Sequence, residues 1–351
     1  MANINLNLDL VKGNSDVVQL VELGNGVVQI TMRDEESCNS FSPGIIEGLY
    51  KCFGAVDENK SYKVVVLTGY GNYFCSGGTK ETLISISKGE TKFNDLDFFR
   101  IALDCPIPVI AAIQGHALGG GFVFGLYADL VVLSQESIYA TNFMKYGFTP
   151  GLGSTLIVPE KLGGLVWEMM YTAQNYRGKE LAQRGVSFPI VPRKDVLKVA
   201  KKIAYEMSEK PRLSLVTFKQ YLRRKIDEKL PEFIDNELAM HEITFHKPEV
   251  ASRIEEIFDK MTMVSNNPEN LSQESVRKEI STEQKLDAYR LSLQNKMSNE
   301  EKILLQLQSG QVSLENAEQL LLGKTEKERQ EKAIEDNQID KIPNKLINMD
   351  S

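Results

Sequence analysis

Two runs of alternating apolar and polar residues, Val17 to Glu22 and Val27 to Met32, flank Gly24-Asn25-Gly26. Period-two alternation turns one face of each run toward a core, and Asn-Gly supplies the positive φ of a tight turn, so a β-hairpin is expected. Ser42-Pro43 then opens a helix to about Val56, with serine as N-cap and proline in the first turn. Lys63 to Thr68 (KVVVLT), Pro108 to Gln114 (PVIAAIQ) and Asp129 to Ser134 read as strands. A glycine-rich loop, Gly69 to Thr79, follows the first of these. The stretch Gly115 to Gly125 (GHALGGGFVFG) follows the second and leads into a short apolar helix. Strand and helix go on alternating to about Pro192, an α/β pattern of repeated ββα-like units. From Lys194 the periodicity is helical, over Asp195–Glu209, Ser214–Ile226, Pro231–Phe245 and Pro248–Phe258.

The pattern changes near Met263. Val264 to Ser281 is polar and reads as a linker. Ser298 and Glu301 form a capping box ahead of Ile303, Leu304 and Leu307; Gly310 is placed to end that helix and Ser313 to cap another. Lys324 to Ser351 is highly charged and is expected to be disordered. The organisation expected is a flexible 1–15, a core over 16–210, a C-terminal helical region over 211–262, and a linker, helical element and disordered tail over 263–351.

Composition narrows the class. The chain has 351 residues, 42% hydrophobic and 25% charged, with a net charge of −7. That balance argues against general nucleic-acid binding. No apolar run approaches the ~20 residues that span a bilayer, so no membrane segment is expected. The N-terminal residues show no signal-peptide pattern. Cys38, Cys52, Cys75 and Cys105 form no CxxC pair and no zinc-like spacing, which points to a reducing, cytoplasmic setting.

The chemistry starts at the glycine triplet. Glycines opening a helix leave backbone N–H groups uncovered, and the helix dipole favours an oxygen that gains negative charge there. No Asp or Glu follows until Asp129. Together with NYFCSGGTKE (Asn72 to Glu81), the stretch GHALGGG resembles the crotonase, or enoyl-CoA hydratase/isomerase, superfamily over roughly Val17 to Phe258. The resemblance implies a crotonase fold: an α/β spiral of ββα units followed by a helical trimerisation region. It also implies an oxyanion hole made by the backbone N–H groups of Gly78 and Gly120. Hydratases of the superfamily carry two glutamates, at positions that here are Val123 and Phe143. Water addition needs both an acid and a base, so their absence argues against hydration.

The segments LTGYGNYFCSGGT, LDCPIPVIAAIQGHALGGGFVFGL, NFMKYGFTPGLGST, EKPRLSLVTFK and ELAMHEITFH resemble one branch in particular, the decarboxylases of polyketide β-branching (second enoyl-CoA hydratase homologues). That resemblance implies loss of CO2 from a 3-methylglutaconyl group on an acyl carrier protein, with no metal or redox cofactor beyond the carrier's phosphopantetheine. It puts a catalytic lysine at Lys92, in the Gly89-containing segment Ser85 to Asn94, and a catalytic histidine at His241. Helical phase with Ile234, Leu238 and Phe245 places His241 on a buried face; such a histidine is more often a core residue than a catalyst. Lys80 is a competing cation. His116 is expected to hydrogen-bond locally, His246 to be solvated, and Cys75 to be a packing residue. Arg177, Lys179, Arg223, Arg224 and Lys225 offer a basic patch for an acidic carrier. The superfamily resemblance implies a homotrimer or hexamer. Ile303 to Leu321 resembles short helix-turn-helix segments near polypeptide junctions of modular polyketide synthases, which implies docking to a synthase through residues 298–322, the alternative being an appended helical hairpin or a fusion remnant. The alternatives are another crotonase-type isomerase or hydratase acting on enoyl-CoA, and a non-catalytic scaffold.

Overall fold

The computed structural model describes residues 15–91 and 97–265. The expectations for residues 1–14, for Lys92 and for the tail after Ser265 lie outside them. The chain divides into two compact units, Met1–Thr262 and Met263–Ser351.

The hairpin forms as its alternation predicts. Strands β1 (Val18–Gly24) and β2 (Val27–Met32) pair antiparallel around Asn25-Gly26, both at positive φ. Helix α1 (Pro43–Glu58) starts at Ser42, whose hydroxyl accepts from the Ile45 N–H. Three strand pairs then follow, each leading into a helix or helical turn. The first is β3 (Val64–Gly69) and β4 (Tyr73–Cys75), before α2 (Lys80–Ser87). After a 3-10 turn at Asp97–Arg100 and α3 (Ile101–Asp104) come β5 (Val109–Ile113) and β6 (His116–Leu118), before α4 (Gly120–Leu126). The third pair is β7 (Leu130–Ser134) and β8 (Ile138–Ala140), before a 3-10 turn at Asn142–Tyr146 and α5 (Ser154–Leu162). Helix α6 (Leu165–Thr172), β9 (Tyr176–Arg177), α7 (Gly178–Gln183) and β10 (Ile190–Val191) complete the spiral.

The leading strands build a six-stranded sheet, β1-β2-β3-β5-β7-β10, and the trailing strands a four-stranded sheet, β4-β6-β8-β9. Every residue of β3 and β5 is buried. Continuous apolar strands of this kind suit a parallel sheet covered on both faces. One cover is α8 (Arg193–Ser208), which packs Val196, Ala200 and Ala204 on the sheet. Helix α4 is apolar all round, and all seven residues are buried.

Two sequence expectations are corrected. The loop Gly69 to Thr79 contains β4, too short to carry a periodic signal. The separate helices Ser214–Ile226 and Pro231–Phe245 are one helix, α9 (Arg212–Thr244), with Pro231 inside it. A mid-helix proline removes one hydrogen bond. Burial of Leu230, Glu237 and His241 against the core carries the helix through. Helix α10 (Pro248–Ser265) follows. Among the described residues no helix is long and apolar enough to cross a membrane.

Candidate active site

Strands β4 and β6 lie side by side and parallel, with Tyr73 beside His116 and Cys75 beside Ala117. Their C-terminal ends therefore release two glycine loops at the same place: Ser76-Gly77-Gly78, and Gly119-Gly120-Gly121. The loops touch. A Cβ on Gly77 would lie 2.8 Å from the Leu118 carbonyl oxygen, and one on Gly121 would lie 2.2 Å from the Cys75 carbonyl oxygen. Only glycine permits this approach of two backbones.

Gly78 and Gly120 line one cavity. Gly120 is the first residue of α4, so its N–H has no acceptor within the helix. Gly78 lies just ahead of α2, whose N-cap Thr79 accepts from the Thr82 N–H. Among the described residues neither glycine N–H is paired with a protein acceptor. Phe41, Phe98, Phe143, Phe148 and Leu152 make much of the wall. The side-chain polar groups on it are those of Ser76, Thr82, Asn142 and Tyr146. No Asp, Glu, Lys, Arg or His lines this cavity among the described residues. Phe143, where the resemblance leads one to expect a hydratase carboxylate, lines it, and Val123, the other such position, is buried in α4.

The other predicted positions fall as follows. His241 is 5% exposed on α9, edge-on to Phe148 and Phe245, and its Nε2 lies 2.9 Å from the Thr149 carbonyl oxygen. It lines a smaller neighbouring cavity with Phe99, Leu152 and Glu237, not the glycine-lined one. Burial pushes its pKa down. Leu152 separates the two spaces, since it lines both. Lys80 turns from the cavity to Asp259, 2.7 Å away. Ser85 to Ser87, the start of the segment that carries Lys92, belong to α2. The residues on either side of 92–96 include cavity-lining Ile86 and Phe98. His116 Nδ1 accepts from the Ile138 N–H, a local role as expected. His246 is exposed, as expected, and its ring bonds the Ser87 carbonyl. Cys75 is fully buried and its thiol is pushed up to about 12, which rules out a ready thiolate. Of the basic residues named above, Arg223 is paired with Asp104 and Asp227, and Lys225 with Glu160.

Glu237 carries no signal in the sequence beyond its i−4 spacing from His241. It is 2% exposed, and its carboxylate accepts from the Gly153 N–H (2.7 Å), the Thr155 N–H (2.8 Å) and the Thr155 hydroxyl (2.6 Å). It thereby caps α5 from another helix. Burial raises its pKa from 4.5 to about 7, against the pull of these bonds. The folded chain keeps this proton in a range where the unfolded chain has lost it. Its contribution to stability is therefore greatest below about pH 4.5 and declines as the pH rises through about 7. Urea unfolding across that window is expected to show a decline of up to roughly 3 kcal/mol relative to Glu237→Gln. Parallel pH profiles for the two proteins would contradict this.

With the geometry in view, the family profile described as Enoyl-CoA hydratase/isomerase matches residues 22–264. The chain belongs to the enoyl-CoA hydratase/isomerase family. Within this family it is 51% identical to the bacillaene synthase decarboxylase PksI of Bacillus subtilis, over 69% of this chain and 98% of that protein. It is 59% identical to the ECH2 decarboxylase domain of CurF from Lyngbya majuscula, whose crystal structure matches with a TM-score of 0.67 over 69% of this chain and 99% of that one. A solved structure from a dehydratase/decarboxylase enzyme couple of polyketide β-branching matches at 51% identity and a TM-score of 0.68, over 70% and 98%. An enoyl-CoA hydratase from Bacillus halodurans, 21% identical with a TM-score of 0.61, shares the family's fold.

Proposed function

We propose that this chain decarboxylates a 3-methylglutaconyl thioester on the phosphopantetheine arm of an acyl carrier protein, giving the 3-methylcrotonyl thioester. That it is a crotonase-family decarboxylase of polyketide β-branching rests on its identity with decarboxylases of that process. One observation supports the mechanism above the rest. Two glycine loops meet at a cavity whose described wall holds no carboxylate.

In this reading the thioester oxygen accepts from the N–H groups of Gly78 and Gly120. The bond to the distal carboxylate breaks, CO2 leaves, and its electron pair passes through the conjugated system to that oxygen. The two amides stabilise the dienolate charge as it develops. One proton, drawn ultimately from solvent, then forms the new C–H bond at the γ-carbon. The substrate's own conjugation accepts the electrons, so the route calls on no metal or redox group. An apolar wall favours the step, because it costs a carboxylate solvation that neutral CO2 does not need.

Lys92 is proposed to orient the departing carboxylate, and His241 to supply the proton by way of the neighbouring cavity. Lys92→Ala and His241→Ala are each expected to slow CO2 release about tenfold or more. The check is mass spectrometry of the carrier-bound product. Wild-type rates in both variants would remove these assignments. A gain of water instead of a loss of CO2 would favour the hydratase alternative, and an inert wild-type protein the scaffold.

Self-association as a trimer or hexamer belongs to the same proposal. Phe218, Tyr221 and Leu222 on α9 and Trp167 and Tyr171 on α6 are all more than half exposed, an apolar surface that a lone chain would leave in water. A cytoplasmic setting is supported by the free thiols of Cys38, Cys52, Cys75 and Cys105.

A further inference from the structure

We propose that Glu237 is a positioning residue for the reaction: its carboxylate holds the 149–155 turn so that Leu152 closes the cavity wall against Gly120. This rests on reading the cavity of Gly78 and Gly120 as the reactive one.

Leu152 is in a left-handed conformation, φ +64°. A bulky side chain there is strained and persists only where its surroundings impose it. The surroundings here are specific. The peptide unit joining Leu152 to Gly153 is gripped at both ends. Its carbonyl accepts from the Tyr127 hydroxyl at 2.8 Å, and its N–H donates to Glu237 at 2.7 Å. The second Glu237 oxygen takes both donors of Thr155. Upstream, His241 Nε2 meets the Thr149 carbonyl oxygen and Thr244 the Thr149 hydroxyl. Helix α9 therefore clamps the turn along its length.

The clamped residue is the one that matters to the cavity. The Leu152 side chain lies so close to Gly120 that a Cβ on the glycine would meet its Cδ1 at 2.8 Å. Its position decides where an acyl group can rest beside the Gly120 amide. Above about pH 7, where Glu237 is ionised, its carboxylate suits the clamp better than an amide, because three donors converge on two oxygens. Glutamine would turn an NH2 group toward an N–H.

The test is steady-state CO2 release from the carrier-bound 3-methylglutaconyl thioester by the full chain, per folded molecule, with thermal unfolding alongside. Glu237→Gln is expected to lower kcat about 10- to 100-fold with KM within about threefold of wild type. Glycine adopts positive φ freely, so Leu152→Gly removes the strain that the clamp holds. In that less active background Glu237→Gln is expected to add less than about threefold. Tyr127→Phe releases only the Leu152 carbonyl and is expected to cost about three- to tenfold in kcat; it decides the matter if Glu237→Gln does not fold. A lowered midpoint with wild-type kcat in the variants overturns the proposal and leaves a structural cap. Full, independent losses in the double variant overturn it as well. A wild-type protein that releases no CO2 overturns both this proposal and the functional reading beneath it.

Discussion

Replacing the Gly120 amide by an ester, with glycolic acid in place of glycine, is expected to lower kcat for CO2 release about 10²–10³-fold. The ester removes one N–H and adds no side chain, so the contact between the two glycine loops stays intact. Charge reaches the thioester oxygen only as the carbon–carbon bond breaks. The loss therefore falls on kcat and spares KM. Gly120→Ala works differently. It keeps the N–H but puts a methyl group 2.8 Å from Leu152 Cδ1 and 3.0 Å from Phe41 Cε2, both on the cavity wall. That variant is expected to lose activity by obstruction, and Leu152→Ala in the same chain to restore part of it. Single-turnover measurement of CO2 release checks both. An ester variant as fast as wild type would mean that the Gly120 amide does not face the reacting oxygen.

Lys219→Met is expected to destabilise the described unit by about 3–5 kcal/mol. Lys219 is 3% exposed, and its ammonium meets Asp129 at 2.8 Å together with the carbonyl oxygens of Ala102 (2.8 Å) and Ile107 (3.1 Å). Asp129 also accepts from the Val109 N–H at the start of β5. Methionine fills the space of the stem but leaves a carboxylate without its cation and strips a donor from two carbonyls. Asp129→Asn in the same chain is expected to recover part of the loss, because the stranded charge goes with it. Urea unfolding of the single and double variants is the measurement. A loss below about 1 kcal/mol would place the pair among surface-like ion pairs.

The parts of the fold that repeat with a regular period were legible. The hairpin around Asn25-Gly26, the Ser42 cap and the strands at Val64 and Val109 follow from alternation, capping chemistry and apolar runs. Strand β4 was not, because three residues carry no period. The continuity of α9 through Pro231 was not either, because proline's local cost is visible in sequence and the burial that outweighs it is not.

The candidate site divides in the same way. The glycine clusters, and the apolar residues at Val123 and Phe143, could be read directly from the chain. Gly78 and Gly120 then prove to line one cavity, because β4 and β6 are neighbours in the smaller sheet. Lys219 and Glu237 went unremarked. In a sequence each is an ordinary charge on a polar helix; in the fold each is buried and meets partners from distant segments.

By itself, then, the chain's order of residues determined its periodic local elements, its kinship and, through the resemblance of its segments to β-branching decarboxylases, its reaction class; the missing acids only set it apart from hydratases. Tertiary structure decided which loops meet, that His241 opens on the space beside the glycine cavity, and that Glu237 grips the turn at Leu152. The physical reason is range. Periodicity and capping act within a few residues, whereas hydrogen bonds to a buried charge depend on segments about 80 to 120 positions apart that only folding brings together.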